Sequence, residues 1–374
     1  MKRMLIIGSF APSLLNFRGA LIEELADRGL EIHVAAPSLS VNADVSRWLE
    51  NLGVVCHDLN MARSGLNPIS DLFTLWQIVR LTRNLKPDVF FAYTVKPVVW
   101  GLISARISRV PVRVALITGL GYAFTGNGGG IRSLVRYIAK RLYGIALKHA
   151  TLVFFQNTDD KNEFIDLGLL STAVPSEVVA GSGVDVNYFS VAPFPEGPMQ
   201  FLLIARLLGD KGIREYAEAA QKVLKIHPNV EFHLVGGIDP SPDGITDREV
   251  LQWHDAGFIH WHGHLSDVRS AIAMAHVYVL PSYREGTPRT VLEAMSMGRP
   301  IITTNAPGCR ETVIHDKNGK LVPVKNAYAL ANAILQFIEF PELIDSMGAS
   351  SRCIAVSKFE VGKVNSTMIS AMGL

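Results

Sequence analysis

The sequence predicts an α/β protein built from two doubly wound parallel sheets facing a cleft. Three observations predict it. Short apolar runs alternate with amphipathic stretches from the first residues onward. The alternation lapses once, around the Pro/Gly-rich Ala192-Pro-Phe-Pro-Glu-Gly-Pro198, and then restarts as a second series. At 374 residues the chain is long enough for two domains of ordinary size, and 48% hydrophobic content can fill two cores.

The elements follow in order. Residues 4–8 read as a buried strand, 17–28 as a helix capped by Asn16, and 31–36 as the next strand, a βαβ opening. Runs 89–93, 112–117 and 152–156 are further strands, with helical patterns over 71–84 and 131–148 between them. Near-continuous apolar strands of this kind are covered by helices on both faces. After the lapse come strand 200–205, helix 214–226 and strands 230–235, 258–261, 277–280, 300–304 and 320–323. The expected division is 1–190, 191–355 and a C-terminal helix, 356–374, packing back on the first domain. In doubly wound folds ligands lie beyond the carboxyl ends of the strands, so the cleft is the expected active site.

Composition excludes several function classes. A net charge of +2, with no Lys/Arg-rich block, argues against nucleic-acid binding. Cys56, Cys309 and Cys353 are few and widely spaced, which fits a reducing compartment and offers no C-x-x-C metal knuckle. The cytoplasm is the expected location. Met1 to Gly8 could begin a signal peptide, but Gly8, Ser9, Pro12, Ser13 and Asn16 break the apolar run and Arg18 follows, so it reads as a first strand. No apolar run approaches the ~18 residues a membrane-spanning helix needs. Residues 126–130, Gly-Asn-Gly-Gly-Gly, read as a mobile loop at the cleft.

The most informative stretch runs from Pro281 to Pro300. Thr287 is expected to cap a helix with Pro288 at its first position, and Gly298 to end it. A helix opening at the carboxyl end of a strand presents unpaired N–H groups, a natural seat for a diphosphate. Glu285 precedes that helix, and Glu293 lies roughly 7.5 Å further along its axis at ~1.5 Å per residue. The offset suits an elongated ligand gripped through its hydroxyls, and Glu293 is expected to point away from the Val291/Met295 stripe. The plainer alternative is two solvated carboxylates. Arg206 ends a strand and Lys211 follows in the turn, where both can face a diphosphate or simply meet solvent. Gly236, Gly237 and Gly263 are expected to let backbone approach a base. His260, His262 and His264 alternate along a predicted strand, a pattern that zinc uses, but no carboxylate or Cys stands at matching spacing, so no metal is expected.

Glu285-Gly-Thr-Pro-Arg-Thr-Val-Leu-Glu293 and Ala205-Arg-Leu-Leu-Gly-Asp-Lys-Gly212 resemble the E-x7-E and R-x4-K-G motifs of the family 4 retaining glycosyltransferases, whose GT-B fold has two Rossmann-like domains. Gly181-Ser-Gly-Val-Asp185, Asn305-Ala-Pro-Gly-Cys-Arg-Glu-Thr312 and Asn318-Gly-Lys-Leu-Val-Pro323 support the match, which covers nearly the whole chain. Asn16-Phe-Arg-Gly19, Tyr93-Thr-Val-Lys-Pro97 and Ile117-Thr-Gly-Leu-Gly-Tyr122 are similar to the branch that extends polyprenyl-diphosphate-linked sugars, including N-acetylgalactosaminyltransferases. Two departures stand out: Leu14-Leu15-Asn16 replaces the paired glycines common in the first loop, and a strand-end histidine near position 93 is absent.

The resemblance implies transfer of a hexose or N-acetylhexosamine from a UDP-sugar to a polyprenyl-diphosphate-linked sugar in bacterial surface glycan assembly, with no cofactor and no metal. It implies that Arg206, Lys211 and Glu285 are catalytic. Glu285 contacts the donor sugar, Glu293 the ribose, and Gly286, Thr287, Pro288 and Arg289 offer backbone donors. Asn16, Arg18 and Lys96 are candidate acceptor contacts, although Lys96 equally suits a cation closing a turn. Arg132, Arg136 and Lys140 share one face of the helix over 131–143, which either packs as an ordinary surface helix or docks on anionic lipid at the inner face of the cytoplasmic membrane. The first 190 residues carry 19 basic against 15 acidic side chains, a modest bias in the half expected to meet lipid. Rival readings are a UDP-sugar 2-epimerase of the same architecture and a noncatalytic nucleotide-sugar binder. A dinucleotide oxidoreductase is disfavoured because Gly119-Leu-Gly121 lacks the third glycine of its fingerprint.

Overall fold

The computed structural model describes residues 1–62, 67–119 and 131–374, with side chains from 137 onward in the last stretch. The 126–130 loop, Tyr122 and the side chains of Arg132 and Arg136 lie outside the described residues. Two compact units emerge: Met1–Ser182 with Val364–Leu374, and Gly183–Lys363. The division thus falls a little earlier in the chain than the expected 190/191.

The first unit holds β1 (Arg3–Ile7), α1 (Pro12–Asp27), β2 (Glu31–Ala36), α2 (Ala43–Asn51), β3 (Val55–Asp58), α3 (Pro68–Leu85) and β4 (Val89–Tyr93). It continues with α4 (Val95–Ile107), β5 (Val112–Ile117), α5 (Ile131–Leu147), β6 (Leu152–Phe155), α6 (Thr158–Asp166) and β7 (Ser176–Val178). Its sheet is parallel throughout, in the order β3-β2-β1-β4-β5-β6-β7. Side chains alternate across it as strand geometry requires: Met4, Ile6 and Phe91 pack on one face, Leu5, Ile7 and Phe90 on the other. Val364, Met368, Ile369 and Met372 from the chain's end complete the first of these cores.

The second unit holds β8 (Gln200–Ile204), a 3₁₀ turn (Gly209–Lys211), α7 (Ile213–Leu224), β9 (Glu231–Val235), α8 (Asp247–Asp255), β10 (His260–Trp261) and α9 (Arg269–Met274). There follow β11 (Val277–Leu280), α10 (Arg289–Ser296), β12 (Ile301–Thr304), β13 (Gly319–Val322), α11 (Ala327–Glu339), α12 (Glu342–Ile354) and α13 (Val361–Ala371), the last crossing into the first unit. The parallel order is β10-β9-β8-β11-β12-β13. Both sheets reverse direction of winding beside their first strand, between β1 and β4 in one and between β8 and β11 in the other. Such switch points open a crevice at the carboxyl ends of the two strands.

Three local expectations are corrected. α1 begins at Pro12, not at residue 17, because proline is tolerated in the first turn; Asn16 is therefore an exposed residue inside the helix rather than its cap. In α10 the cap is Pro288, with extended backbone, and Arg289 is the first helical residue, so Thr287 does not cap it. β10 is only two residues long, so His262 and His264 follow the strand instead of lining it.

The histidines pair instead. His233 on β9 bonds through Nε2 to Glu231 at 3.2 Å and through Nδ1 to His262 Nε2 at 3.0 Å. The first unit repeats the device: His33 on β2 bonds through Nε2 to Glu31 at 3.0 Å and through Nδ1 to His57 Nε2 on β3 at 2.9 Å. Among the described residues no three His, Cys, Asp or Glu side chains converge to hold a metal ion, and no helix is long and apolar enough to cross a membrane.

Candidate functional site

The site in the second unit forms at its switch point, from the loops after β8 and β11. The R-x4-K-G turn after β8 is shaped by Gly212. Its φ of 71° is in the left-handed region, and a Cβ there would lie 2.1 Å from the Pro281 carbonyl oxygen. The turn is pressed against the start of the β11 loop. Tyr283 N–H donates to the Asp210 carbonyl at 2.8 Å, and the Ser282 hydroxyl to the same oxygen at 3.2 Å. This contact brings Lys211 Nζ to 2.6 Å from Glu285 Oε1, with both side chains largely shielded from solvent. Burial pulls the Lys211 pKa down, but the charge and hydrogen bond of Glu285 more than offset it, so the ammonium is held above the ordinary lysine value.

The Asn305-Ala-Pro-Gly308 loop supports Glu285 from behind. Glu285 N–H donates to the Pro307 carbonyl at 3.0 Å, and a Cβ on Gly308 would lie 2.1 Å from the Glu285 carbonyl oxygen. Thr304 Oγ1 donates to the Ser282 carbonyl and Thr303 Oγ1 to that of Leu280. Buried Cys309 packs there too, its thiol pushed up to about 12 chiefly by burial.

The start of α10 is pinned to the end of β8. Tyr278 Oη and Thr290 Oγ1 both reach the Ile204 carbonyl, at 3.0 and 3.3 Å, and lie 2.7 Å from each other. This sets the first-turn amides of α10 beside the strand end from which Arg206 projects. Arg206 does not join Glu285. Its guanidinium is exposed and donates to Asp239 Oδ2 at 3.1 Å, although its charge is still felt at Lys211 and Asp210.

Glu293 departs most from expectation. It is buried, and pairs with Arg289 at 2.8 Å one turn earlier in α10. Residues 291–296 are all buried, so pointing away from the Val291/Met295 stripe does not lead to solvent. Burial raises its carboxyl to about 6 against the pull of Arg289. Of the run before it, Thr287 is buried, and Pro288, having no N–H, drops out of the expected backbone donors.

Gly236, after β9, serves packing. A Cβ on Gly236 would lie 2.0 Å from the Ala205 carbonyl oxygen, and Gly236 N–H donates to the Gly263 carbonyl at 2.8 Å, with Gly263 at a φ of 69°. Gly236 is thus required where the loop after β9 passes the end of β8.

In the first unit, two of the candidate acceptor residues, Arg18 and Lys96, are held internally, while Asn16 is exposed. Arg18 is buried with its guanidinium 5.4 Å from the centroid of the Tyr93 ring. Lys96, in the first turn of α4, pairs at 2.9 Å with Asp71 of α3, both nearly inaccessible, so its charge is met inside the fold. At the switch point itself lies a cluster the sequence reading missed. Thr94 has a φ of 69° and ψ of 163°, strained for a threonine, and its hydroxyl donates to Ser9 Oγ at 2.9 Å. Ser13 Oγ and Tyr93 Oη are 2.8 Å apart. The signal available in the sequence was hydroxyl residues immediately after two adjacent apolar strands.

Comparison with known proteins matches each unit separately. A family model described as glycosyl transferases group 1 matches residues 198–339, and one described as glycosyl transferase 4-like matches 10–157. The Campylobacter jejuni N,N'-diacetylbacillosaminyl-diphospho-undecaprenol alpha-1,3-N-acetylgalactosaminyltransferase is 29% identical over 344 residues, 88% of each chain. An Escherichia coli UDP-Gal:alpha-D-GlcNAc-diphosphoundecaprenol alpha-1,3-galactosyltransferase is 25% identical over 314 residues, 79% of this chain and 77% of its own. The crystal structure of Anabaena HepE in complex with UDP-glucose shares the fold, with a TM-score of 0.77 at 18% identity over the full length of both chains. With one model in each unit and relatives that run nearly end to end, the chain belongs to the group 1, family 4 glycosyltransferases of the GT-B fold.

Proposed function

We propose that this glycosyltransferase moves a hexose or N-acetylhexosamine from a UDP-sugar to a polyprenyl-diphosphate-linked sugar, with retention at the anomeric carbon, in the assembly of a bacterial surface glycan. The observation that carries the reading is the Lys211–Glu285 pair held at the opening of α10. A cation, a helix N-terminus and a carboxylate within one small region suit a sugar diphosphate better than they suit a neutral ligand. The C. jejuni and E. coli relatives, both named for diphospho-undecaprenol-linked sugars, support the acceptor class. The epimerase alternative finds no such support.

In this reading the acceptor hydroxyl oxygen bonds to the anomeric carbon as the bond from that carbon to the β-phosphate oxygen breaks. The acceptor proton passes to the departing phosphate. Charge building on UDP is met by Lys211 and the α10 amides, which are already in place, and by Arg206 once it turns from Asp239, without a divalent cation. Glu285 accepts from the sugar hydroxyls, and Glu293 with Arg289 across it faces the ribose. Acceptor contacts fall to the first unit, around Arg18 and the Thr94 cluster. The test is a UDP-release screen of several UDP-sugars, each with and without a polyprenyl-diphosphate acceptor, with and without EDTA. Acceptor-dependent release that EDTA leaves unchanged is expected. A new sugar nucleotide formed without acceptor would establish the epimerase instead, and donor binding without release a noncatalytic protein.

A further inference from the structure

α3 is built inside out. At about 100° per residue, Ile69, Leu72, Phe73, Trp76, Arg80 and Arg83 fall within an arc of about 100°. That arc is the exposed one: Ile69 is 81% exposed, Leu72 61%, Phe73 45% and Trp76 53%. The opposite face, turned into the unit, buries Asp71, Thr74, Ile78 and Thr82. Three of those four are polar, and each is satisfied internally: Asp71 by Lys96, Thr74 by the Asn60 and Ser70 carbonyls, Thr82 by the Ile78 carbonyl. A helix that only packed on its sheet would carry the reverse pattern.

The exposed arc has a chemical gradient along the helix. Its first two turns present the large apolar side chains, with the Phe73 and Trp76 rings stacked at 5.7 Å. Its last two turns present Arg80, whose guanidinium lies 5.5 Å from the Trp76 ring centroid, and Arg83. The only acidic side chain in α3 is Asp71, buried and already paired, so the outer face is purely apolar and cationic. Aromatic rings backed by arginines match the boundary of a bilayer, where rings sink among the acyl chains and guanidinium groups meet lipid phosphates. We infer that the outer face of α3 is the surface by which this enzyme docks on an anionic lipid bilayer. The choice of a bilayer over a protein partner rests on the lipid-linked acceptor proposed above.

The test is flotation of the full chain with vesicles of phosphatidylcholine, alone or mixed with phosphatidylglycerol, no sugar substrate being present. Binding that favours phosphatidylglycerol and weakens with salt is expected. The double substitution Phe73→Ala/Trp76→Ala should cut partitioning roughly tenfold or more. Arg80→Gln/Arg83→Gln should abolish the preference for phosphatidylglycerol while leaving residual binding. Both variants should keep the circular dichroism of the parent and its turnover of a water-soluble, short-prenyl acceptor. Unchanged vesicle binding in both variants would overturn the assignment to α3. So would a parent that ignores vesicles yet turns over the soluble acceptor, which leaves the proposed function standing. Vesicle binding lost in the variants, with no turnover of any lipid-linked acceptor by the parent, would keep the docking surface and remove the function. A concentration-dependent dimer abolished by Phe73→Ala/Trp76→Ala would assign the face to a second copy and sink the inference.

Discussion

Lys211 Nζ donates to Glu285 Oε1 at 2.6 Å, joining the loops that follow two neighbouring strands, β8 and β11. The pair arises because Gly212 lets one loop press on the carbonyl of Pro281 in the other. On the proposed function, a sugar diphosphate entering here meets an ammonium already oriented and held above the ordinary lysine value.

Lys211→Ala is therefore expected to lower kcat by about 10²–10³, the loss typical of removing one group that stabilises developing charge. UDP-sugar binding, read by calorimetry, should weaken far less. Turnover within a few-fold of the parent would remove Lys211 from the chemistry.

Gly212→Ala tests the platform rather than the charge. A methyl group 2.1 Å from the Pro281 oxygen, on backbone at a φ of 71°, has to displace one loop from the other. A loss of about 2 kcal/mol or more in unfolding free energy is expected by denaturant titration, together with a drop in kcat.

Arg299 shows how the second unit holds its own linker. Fully buried, it donates to the carbonyls of Ile272, Ala273, Ala192 and Pro193 at 2.9–3.1 Å, and burial lowers its pKa to about 10. Arg299→Met leaves four carbonyls without that donor and should destabilise the unit by about 3–5 kcal/mol. A change below about 1 kcal/mol would mean that the linker carbonyls find other partners.

Glu293 gives a titration with a definite sign. Burial sets its folded pKa at about 6, above the ordinary 4.5, so the folded state binds the proton more tightly than the unfolded chain. The stabilisation from protonating it is fully present below pH 4.5 and is lost as the pH rises through 6. A carbon-detected NMR titration of the Glu293 carboxyl should show a midpoint near 6. Saturating UDP-sugar should move that midpoint if the ribose lies against it, and a midpoint at or below 4.5 would contradict its buried setting.

Much of the fold was legible because β1, β4, β5, β6, β8 and β11 are largely apolar on both faces, which a helix-covered parallel sheet explains. β3 was not legible: Val-Cys-His-Asp at a sheet edge is half polar and carries no such pattern. Pro12 misled as a break because proline stops a helix but also starts one. Within the site, the Lys211 turn and the Glu285 loop stood out through the two motifs that carry the family resemblance, since spacing alone also allowed solvated side chains. The environment of Glu293 did not, since a helix buried on every side has no solvent face for an angle to point to. The inverted face of α3 was equally hidden, because a helical period says which residues share a side and not which side is in.

The two Glu–His–His chains have a consequence for behaviour in acid. A carboxylate only accepts, so His33 donates through Nε2 to Glu31, while its Nδ1 and His57 Nε2 share one proton between them; His233 stands in the same relation to Glu231 and His262. Each chain thus works as a latch on the outermost strands of its sheet, one that opens when both facing ring nitrogens carry a proton. Burial first, and the neighbouring imidazoles next, hold His57, His233 and His262 below the ordinary 6.5. The folded state resists a proton that the unfolded chain takes readily, so stability is full above pH 6.5 and drains as the medium becomes more acidic. Hydrogen exchange should find the same outer margin of both sheets, β3 in one and β10 in the other, loosening together before either interior does.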